Sequence, residues 1–480
     1  MSQSHARYKE QGSEVGRRGR RLSRGRFTIR SLAPLLLAAV QPWLMSPDVR
    51  AQTGARPNIV FVMADDLGYG DLGCYGQKQI LTPRIDRLAS QGTRFTQCYA
   101  GSTVCAPSRC SLLTGFHSGH GRVRDNIPHE IFLQPDDLTV AEVLKQTGYR
   151  TGAIGKWSLG NPGSWGLPTW QGFDYFYGHL NQDQAHFYYP DYLWENEKVD
   201  LLAGNRGEKR GEYTHDLFTE KALDYIRANS TRPFFLYVSY TVPHYSDHSG
   251  RTPDVYLVPS DAPYGDRDWP QIAKNYAAMV TRFDRDVGRI SDLLEELGLS
   301  SNTALFVTSD NGPAGKGGHD VEFFDSNGPL RGVKRRVTEG GIRVPMVVRW
   351  PGVVPAGATS DQIWAFWDFL PTAAAMAGVP FTGETDGISM LPALKGEPQP
   401  ESHEYLYWDY GHVRSRFRQA VRYGKWKGLR GATDAPIQLY DLSTDIGEEK
   451  DVAAAHPDVV KKIREFIESA YVPSPAYVKK

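Results

Sequence analysis

The sequence predicts an α/β protein in which helices cover a large, mixed, mostly parallel sheet. A small C-terminal antiparallel sheet with one helix follows it. The first observation is that short apolar, β-branched runs alternate with helical stretches. The second is that these runs are apolar throughout, as in strands covered on both faces. The third is a change in the sequence pattern after Gly387. There the short strand-like segments YLYWDY, RQAVRYGKWKGLR and IQLYDL precede a final helix near Pro457–Ser469.

Five runs are the predicted strands of the large sheet: Asn58–Met63, Tyr149–Ile154, Pro233–Tyr240, Thr303–Thr308 and Val344–Trp350. Helices are expected between them at Thr139–Thr147, Leu217–Ala228 and Tyr276–Leu297. With 480 residues the chain can build a large core and a smaller second unit. We therefore expect a catalytic domain over residues 52–386 and a smaller α+β subdomain over residues 387–480.

The first 51 residues have the pattern of an export signal. Six arginines between Arg17 and Arg26 precede the apolar stretch Leu32–Met45, and Val49 and Ala51 are small residues at the positions that a signal peptidase reads. The apolar stretch is short for a membrane span, and two prolines interrupt it. We therefore expect a signal peptide over residues 1–51, export to the periplasm or the extracellular space, and no stable membrane span.

Composition excludes some partners and site types. The chain has 55 basic and 55 acidic residues, whereas nucleic-acid binding is driven by clustered excess positive charge. Four cysteines are too few for a disulfide framework, and their spacing does not fit a zinc site. We expect no nucleic-acid partner, and we interpret Cys74, Cys98 and Cys110 as structural or free thiols.

Polar side chains follow four of the predicted strands. The strands lead respectively into Asp65 and Asp66, into Lys156, into His244, and into Asp310 and Asn311. In an open parallel sheet the carboxyl ends of the strands share one edge, where ligands bind. Acidic and amide pairs also occur as ordinary caps and turns, but four such strand ends together favour a single polar site.

The chemistry of this set indicates a cation and an anionic ester. The side chains of Asp65, Asp66, Asp310 and Asn311 offer only oxygen, which suits calcium and, less well, magnesium. Positive charge and hydrogen-bond donors come from Arg109, Lys156, His244 and Lys334. A dication beside several basic groups is typical of a site for a sulfate or phosphate ester.

The stretch TVCAPSRCSLLTG, from Thr103 to Gly115, contains Cys105 two residues before a Pro-Ser-Arg turn. From these residues alone the thiol could be half of a disulfide, a metal ligand, a nucleophile or a side chain that only packs in the interior. CAPSRCSLLTG resembles the first signature of the type I sulfatases, and GYRTGAIGKWSLG, at residues 148–160, resembles their second. ADDLGYGDLGCYG, VTSDNG and GPLRGVKRRVTEGGIRVPMVVRWPG are similar to further blocks of that family, so the resemblance runs from about Asn58 to the end of the chain.

The resemblance implies an alkaline-phosphatase-like fold and a sulfuric ester hydrolase, with a sulfated carbohydrate as the expected substrate. It implies that a formylglycine-generating or anaerobic sulfatase-maturing enzyme converts Cys105 to Cα-formylglycine during export. The hydrated aldehyde would attack sulfur with one hydroxyl and expel sulfate through the other. The implied calcium ligands are Asp65, Asp66, Asp310, Asn311 and the modified Cys105. Arg109 would hold the hydrated aldehyde, and Lys156, His244 and Lys334 would bind sulfate and assist the leaving oxygen.

Ser158 is a departure from the family pattern, because many members carry histidine at this position. That histidine is usually assigned to help the second hydroxyl lose its proton. A serine hydroxyl can donate and accept a hydrogen bond but is not a base at neutral pH. We place Ser158 with His186 and His319 as candidate substrate-binding residues, and we allow that His117 and His120 line the pocket.

Two alternatives remain at this point. A phosphatase or phosphodiesterase of the same fold would use serine or threonine as nucleophile and commonly two zinc ions with several histidine ligands. A non-catalytic binder of sulfated glycans would keep the pocket without turnover, and only Ser158 favours it.

Overall fold

The computed structural model describes residues 56–127, 130–207, 209–246, 255–315, 319–414 and 416–477. The predicted signal peptide, residues 1–51, lies outside this part of the chain and stays a prediction. Two sheets are present in it, one of eleven strands and one of four.

The large sheet has the strand order β10-β2-β9-β8-β1-β7-β3-β4-β5-β6, and β11 pairs with β2. These strands are β1 (Asn58–Ala64), β2 (Thr93–Tyr99), β3 (Arg150–Lys156), β4 (Tyr175–His179), β5 (Tyr192–Glu195), β6 (Lys198–Leu201), β7 (Phe234–Ser239), β8 (Thr303–Ser309), β9 (Arg343–Arg349), β10 (Ala358–Ser360) and β11 (Trp364–Ala365).

The centre of the large sheet is parallel. Strands β8, β1, β7, β3 and β4 are neighbours in that order, and each pair runs in the same direction. Strand β9 is antiparallel to both β8 and β2, and β5 and β6 form an antiparallel extension beyond β4. The predicted mixed, mostly parallel sheet is therefore confirmed.

Helices cover both faces of this sheet. The α-helices of the described residues are α1 (Pro83–Gln91), α2 (Cys105–Thr114), α3 (Val140–Gln146), α4 (Thr214–Ala228), α5 (Gln271–Glu296), α6 (Glu339–Ile342), α7 (Phe369–Met376), α8 (Leu391–Leu394) and α9 (Pro457–Ala470), of which α9 packs on the small sheet instead. Successive side chains of a strand point to opposite faces. In β1, Val60 and Val62 pack with α1, α4 and α5, whereas Ile59 and Phe61 pack with α2, α3 and α7. A strand buried on both sides is mostly apolar, as β1 is from Ile59 to Ala64.

The small sheet is antiparallel and carries the last of these helices. Its strands are β12 (Leu406–Tyr410), β13 (Arg418–Tyr423), β14 (Trp426–Arg430) and β15 (Ile437–Asp441), in that order. The apolar face of α9, with Ile463 and Phe466, packs on Val421 and Leu439. The predicted small sheet with one helix is confirmed, while a boundary between residues 386 and 387 stays a prediction. Among the described residues no helix has both the length and the apolar character to cross a bilayer.

Candidate active site

The polar residues that follow four strands lie at one edge of the large sheet. Because β8, β1, β7 and β3 are adjacent and parallel, their carboxyl ends are neighbours. This edge carries Asp310 after β8, Asp65 after β1, His244 beyond β7, and Lys156 as the last residue of β3. All four side chains are buried. Gly155, with φ of 104°, allows the backbone to pass close to Ser239 just before Lys156, since a Cβ there would lie 1.9 Å from the Ser239 carbonyl oxygen.

Cys105 is the first residue of α2 and is fully buried. Its Sγ lies 3.3 Å from Asp65 Oδ1 and 3.4 Å from Lys334 Nζ. One turn further along, the Ser108 hydroxyl donates to the backbone carbonyl of Asp310 at 2.5 Å. The start of α2 is therefore fixed to the end of β8, and the thiol lies between an acidic group and a lysine.

Arg109 connects α2 to three strand ends. It lies one helical turn after Cys105, so the two side chains share a helix face. Its guanidinium donates to Asp310 Oδ2 at 2.8 Å, to the Lys156 carbonyl oxygen at 3.0 Å and to the Ser239 hydroxyl. The side chain is fully buried. These bonds place its charge beside Cys105 with little freedom to move.

The oxygen-bearing side chains lie against one another. The backbone N–H of Asp66 donates to Asp310 Oδ1 at 3.1 Å, and Asn311 Nδ2 donates to Asp66 Oδ1 at 2.7 Å. Asp66 has φ of 63°, a left-handed conformation that costs a non-glycine residue free energy and recurs at functional sites. The buried Asn311 Oδ1 has no hydrogen-bond partner in the described structure.

This donor set fits a hard divalent cation. Burial raises the pKa of Asp310 well above its ordinary value, and the nearby charge of Asp65 adds to the effect. Burial alone would raise the pKa of Asp65 too, but the positive charges of Lys156 and Arg109 hold it well below its ordinary range. A cation among these oxygens would offset the repulsion between the carboxylates and use the unpartnered amide oxygen of Asn311.

Two lysines and two histidines complete the cluster. Lys156 Nζ lies 2.6 Å from Asp65 Oδ2 and 2.9 Å from His186 Nε2. Lys334 Nζ lies 2.8 Å from Asp66 Oδ2 and 2.9 Å from His244 Nε2. The imidazole rings of His186 and His244 stack, with centroids 3.7 Å apart and planes 2° from parallel. The basic groups therefore form a continuous layer over the carboxylates.

The hydrogen bonds of His244 define its tautomer. Its Nδ1 lies 2.5 Å from the backbone carbonyl oxygen of Tyr245, which can only accept, so Nδ1 carries a proton. Burial and the positive charge of Lys334 lower the pKa of His244. In the neutral ring Nε2 is then an acceptor, and it receives a hydrogen bond from the Lys334 ammonium. Lys334 is the donor of this pair.

Ser158 lies outside the cluster. It has φ of 68°, and its buried hydroxyl has no hydrogen-bond partner in the described structure. The hydroxyl lines a cavity of 10 Å³ together with Ala106, Asn161 and Gln182. The carbonyl oxygens of the Asn161 and Gln182 side chains are also buried without a partner there. A space of this size and polarity suits one water molecule.

His319 and the histidines after α2 are also separate from the cluster. His319 Nε2 lies 3.0 Å from the Ser326 hydroxyl and Nδ1 lies 3.2 Å from the Tyr256 hydroxyl, and no described contact joins it to the cluster. His117 and His120 stack on each other beyond the far end of α2, near Asp386. Substrate binding by Ser158, His186 and His319 stays a prediction.

Two groups that position Arg109 and α2 were not predicted from the sequence. Ser239 is the last residue of β7, and its hydroxyl contacts Arg109; Ser108 fixes α2 to β8. Only the position of Ser239 at a strand end could have indicated it. All four cysteines are free thiols.

Family models and relatives match almost the whole described chain. The model for the sulfatase family matches residues 57–379, and that for the C-terminal region of N-sulphoglucosamine sulphohydrolase matches residues 332–471. The chain belongs to the sulfatase family. This membership makes it a sulfuric ester hydrolase, and it favours that activity over a phosphatase of the same fold.

Relatives from bacteria and from humans resemble the chain over most of its length. The N-acetylgalactosamine-6-O-sulfatase of Bacteroides thetaiotaomicron is 30% identical, over 87% of this chain and 94% of the relative. Human arylsulfatase A is 32% identical, over 85% of this chain and 87% of its own. The solved structure of Ps i-CgsB in complex with k-i-k-neocarrahexaose has a TM-score of 0.74 and 30% identity, covering 88% of this chain and 95% of that one. The fold is thus the alkaline-phosphatase-like fold of the sulfatases.

Proposed function

We propose that this enzyme hydrolyses a sulfate ester on a sulfated carbohydrate, with a hydrated Cα-formylglycine at position 105 as nucleophile and one calcium ion as cofactor. The reaction breaks the sulfur–oxygen bond of the ester, adds water, and releases an alcohol and inorganic sulfate. The observation that carries the proposal is the position of Cys105, within 3.4 Å of Lys334 Nζ and 3.3 Å of Asp65 Oδ1 in a chain of this family.

The modified residue would supply the nucleophile. A hydrated aldehyde offers two hydroxyls, one to attack sulfur and one whose deprotonation regenerates the aldehyde. A formylglycine-generating enzyme or an anaerobic sulfatase-maturing enzyme would carry out the conversion during export. Arg109 has the position to hold the residue, because its guanidinium is fixed by Asp310 and by the Lys156 carbonyl.

Calcium would be held by Asp65, Asp66, Asp310 and Asn311, with the modified residue 105 as a further oxygen ligand. Oxygen-only ligands favour calcium, with magnesium second. When bound, the ion would lower the pKa of a hydroxyl at position 105 and neutralise charge on sulfate oxygens.

The basic groups have two separate roles in the proposed reaction. Lys156, with His186 2.9 Å away, supplies positive charge for the sulfate oxygens. Lys334 and His244 lie 2.9 Å apart. We assign them the protonation of the departing alcohol oxygen, with Lys334 Nζ as donor and His244 Nε2 as its hydrogen-bond partner. That proton is essential because a sugar alkoxide is a poor leaving group.

The activity of one relative and the ligand of one solved structure support a carbohydrate substrate. The bacterial relative is an N-acetylgalactosamine-6-O-sulfatase, and Ps i-CgsB was solved in complex with k-i-k-neocarrahexaose. An enzyme that meets such glycans outside the cytoplasm fits the predicted signal peptide and export to the periplasm or the extracellular space.

The test is sulfate release by protein co-expressed with a formylglycine-generating enzyme. The panel contains 4-methylumbelliferyl sulfate, p-nitrophenyl phosphate, and sulfated mono-, oligo- and polysaccharides. We expect release from the aryl sulfate and from at least one sulfated saccharide. Preferential phosphate release would support the phosphatase alternative, and binding of sulfated saccharides without any release would support a non-catalytic binder. Turnover of aryl sulfates with no saccharide accepted would contradict the carbohydrate assignment.

A further inference from the structure

A strongly basic cleft of 290 Å³ opens beside Lys334. Its basic lining consists of Lys334, Arg335, Arg336, Arg414, Arg416 and Arg418, and its described lining contains no aspartate or glutamate. The chain as a whole has no net charge, so this concentration of positive charge is local.

Among the described residues, most of these arginines have no acidic partner. Arg414 makes two hydrogen bonds to the carboxylate of Asp125, at 2.8 and 3.1 Å, and lies over the ring of Tyr410. The other four cleft arginines form no ion pair with any described carboxylate. Burial lowers the pKa of Arg418, and the like charges of Arg336 and Arg416 lower it further. Mutual repulsion of this kind is relieved when an anion binds.

The cleft is continuous with the reaction centre through one residue. Lys334 lines the cleft, and its Nζ is also 3.4 Å from Cys105 Sγ and 2.8 Å from Asp66 Oδ2. A molecule whose sulfate ester lies at Cys105 can therefore reach past Lys334 to the arginines. Guanidinium groups bind sulfate and carboxylate through paired, charge-assisted hydrogen bonds.

We propose that this cleft binds a second anionic group of the same substrate, a sulfate or carboxylate on a neighbouring sugar. This inference rests on the proposed function and adds to it a substrate class: an oligosaccharide or polysaccharide with several negative charges. Binding across the cleft would use charge that a monosulfated substrate cannot contact, and so favours polyanionic chains.

The test compares the parent enzyme with the double variant Arg416→Gln/Arg418→Gln and with Arg232→Gln as a matched control. Arg232 is exposed and immediately precedes Pro233 and β7, at the opposite edge of the sheet from the site. Binding is measured by calorimetry with sucrose octasulfate, with a tetragalacturonate and with a single-stranded DNA oligomer. Turnover of 4-methylumbelliferyl sulfate by the parent is measured in the same preparations.

We expect sucrose octasulfate to bind the parent and to bind the double variant at least about tenfold more weakly, since hydrogen bonds between charged groups are lost. Arg232→Gln should bind like the parent, and higher salt should reduce the difference between the parent and the double variant. Binding of tetragalacturonate that also depends on Arg416 and Arg418 would extend the site to carboxylates. If only the octasulfate binds, the second group is a sulfate.

Equal octasulfate affinity in the parent and the double variant would overturn the cleft assignment, and aryl sulfate turnover by the parent would leave the proposed function intact. Tighter arginine-dependent binding of the DNA oligomer than of either sugar would overturn the carbohydrate assignment. Arginine-dependent octasulfate binding by a preparation that hydrolyses no sulfate ester would support the anion site and contradict the proposed function.

Discussion

At the scale of single residues, Ser158 is a candidate substrate-binding residue whose hydroxyl can be tested directly. Among the described residues this buried hydroxyl has no hydrogen-bond partner, and it lies beside a cavity that suits one water molecule. We expect Ser158→Ala to lower kcat by no more than about fivefold, the effect of about 1 kcal/mol from a neutral hydrogen bond. Sulfate and alcohol release, followed separately, give the rate. A complete loss of turnover in a folded variant would instead make this hydroxyl essential.

The buried ring of His179 should make the folded protein less stable at acidic pH. The ring, at the end of β4, is fully buried, and neither nitrogen has a hydrogen-bond partner in the described structure. Burial and the charge of Lys156 lower the pKa of His179 to about 3. Unfolded histidine binds a proton below a pH of about 6.5, so the unfolded chain takes up a proton that the folded chain does not. This residue therefore lowers stability as the pH falls from about 6.5 toward 3.

Replacing His179 by leucine should reduce that sensitivity. Between pH 6.5 and 5 the parent should lose about 2 kcal/mol more free energy of unfolding than His179→Leu. Unfolding temperatures measured at pH 7.5, 6 and 5 provide the comparison, and the partly exposed His456→Gln is the control. An identical pH dependence in the parent and in His179→Leu would contradict this assignment.

At the scale of elements, the apolar pattern predicted the central strands well. Burial on both faces favours apolar residues along most of β1 and β8, at Ile59–Ala64 and at residues 304–307. Polar residues such as Asp65 and Asp310 mark where each strand ends. The place of His186 could not be predicted in this way. It lies between β4 and β5, and its 2.9 Å contact with Lys156 depends on the path of that connection and not on strand periodicity.

Asp310, which follows β8, leads us to expect that sulfate release depends on a bound metal ion. Asp310 accepts hydrogen bonds from Arg109 and from the Asp66 backbone, and it is a proposed calcium ligand. We expect a chelator to abolish sulfate release, calcium to restore it better than zinc, and calcium to raise the unfolding temperature of the parent. Asp310→Ala should lower kcat by at least about a hundredfold, as loss of a charge-stabilising group does.

The matched control for Asp310→Ala is Asp268→Ala. Asp268 is exposed, so we expect near-normal turnover and an unchanged response to calcium. Restoration of a chelated enzyme by zinc alone would support the phosphatase alternative.

At the scale of the whole molecule, a buried glutamate joins the two sheets. Glu339, at the start of α6, accepts from Lys427 of β14 at 2.5 Å and from the Tyr99 hydroxyl of β2 at 2.7 Å. Both Glu339 and Lys427 are fully buried. Although burial alone would raise it, the pKa of Glu339 is lowered to about 2 by the charges of Lys427 and Arg343.

Removing the lysine should therefore leave a buried charge without its main partner. We expect Lys427→Met to lower the free energy of unfolding by about 3–5 kcal/mol, whereas Lys425→Met should change it by less than about 1 kcal/mol. Lys425 pairs with Asp441 at 2.6 Å on the surface of the same small sheet. Denaturant unfolding measures both variants, and equal stability would contradict a structural role for the buried pair.

The basic cleft shows what spacing along the sequence cannot reveal. Arg335 and Arg336 follow Lys334 directly, but Arg414, Arg416 and Arg418 come from the segment between β12 and β13 and the start of β13. Only the packing of the small sheet beside the large one brings these segments to the same cleft. The candidate site residues were predictable because they lie in the family motifs or follow strands, whereas Arg414, Arg416 and Arg418 lie in none of those motifs.

The role of Cys105 as the source of the nucleophile is tested most directly by one paired measurement on protein co-expressed with a formylglycine-generating enzyme. The peptide containing residue 105 is assayed with an aldehyde-reactive probe, and sulfate release from 4-methylumbelliferyl sulfate is assayed in the same preparation. We expect turnover to rise in proportion to the aldehyde fraction, and Cys105→Ala, folded as judged by its unfolding temperature, to show neither probe labelling nor sulfate release. Undiminished sulfate release by Cys105→Ala, or full turnover in the parent with no aldehyde at residue 105, would contradict the formylglycine mechanism.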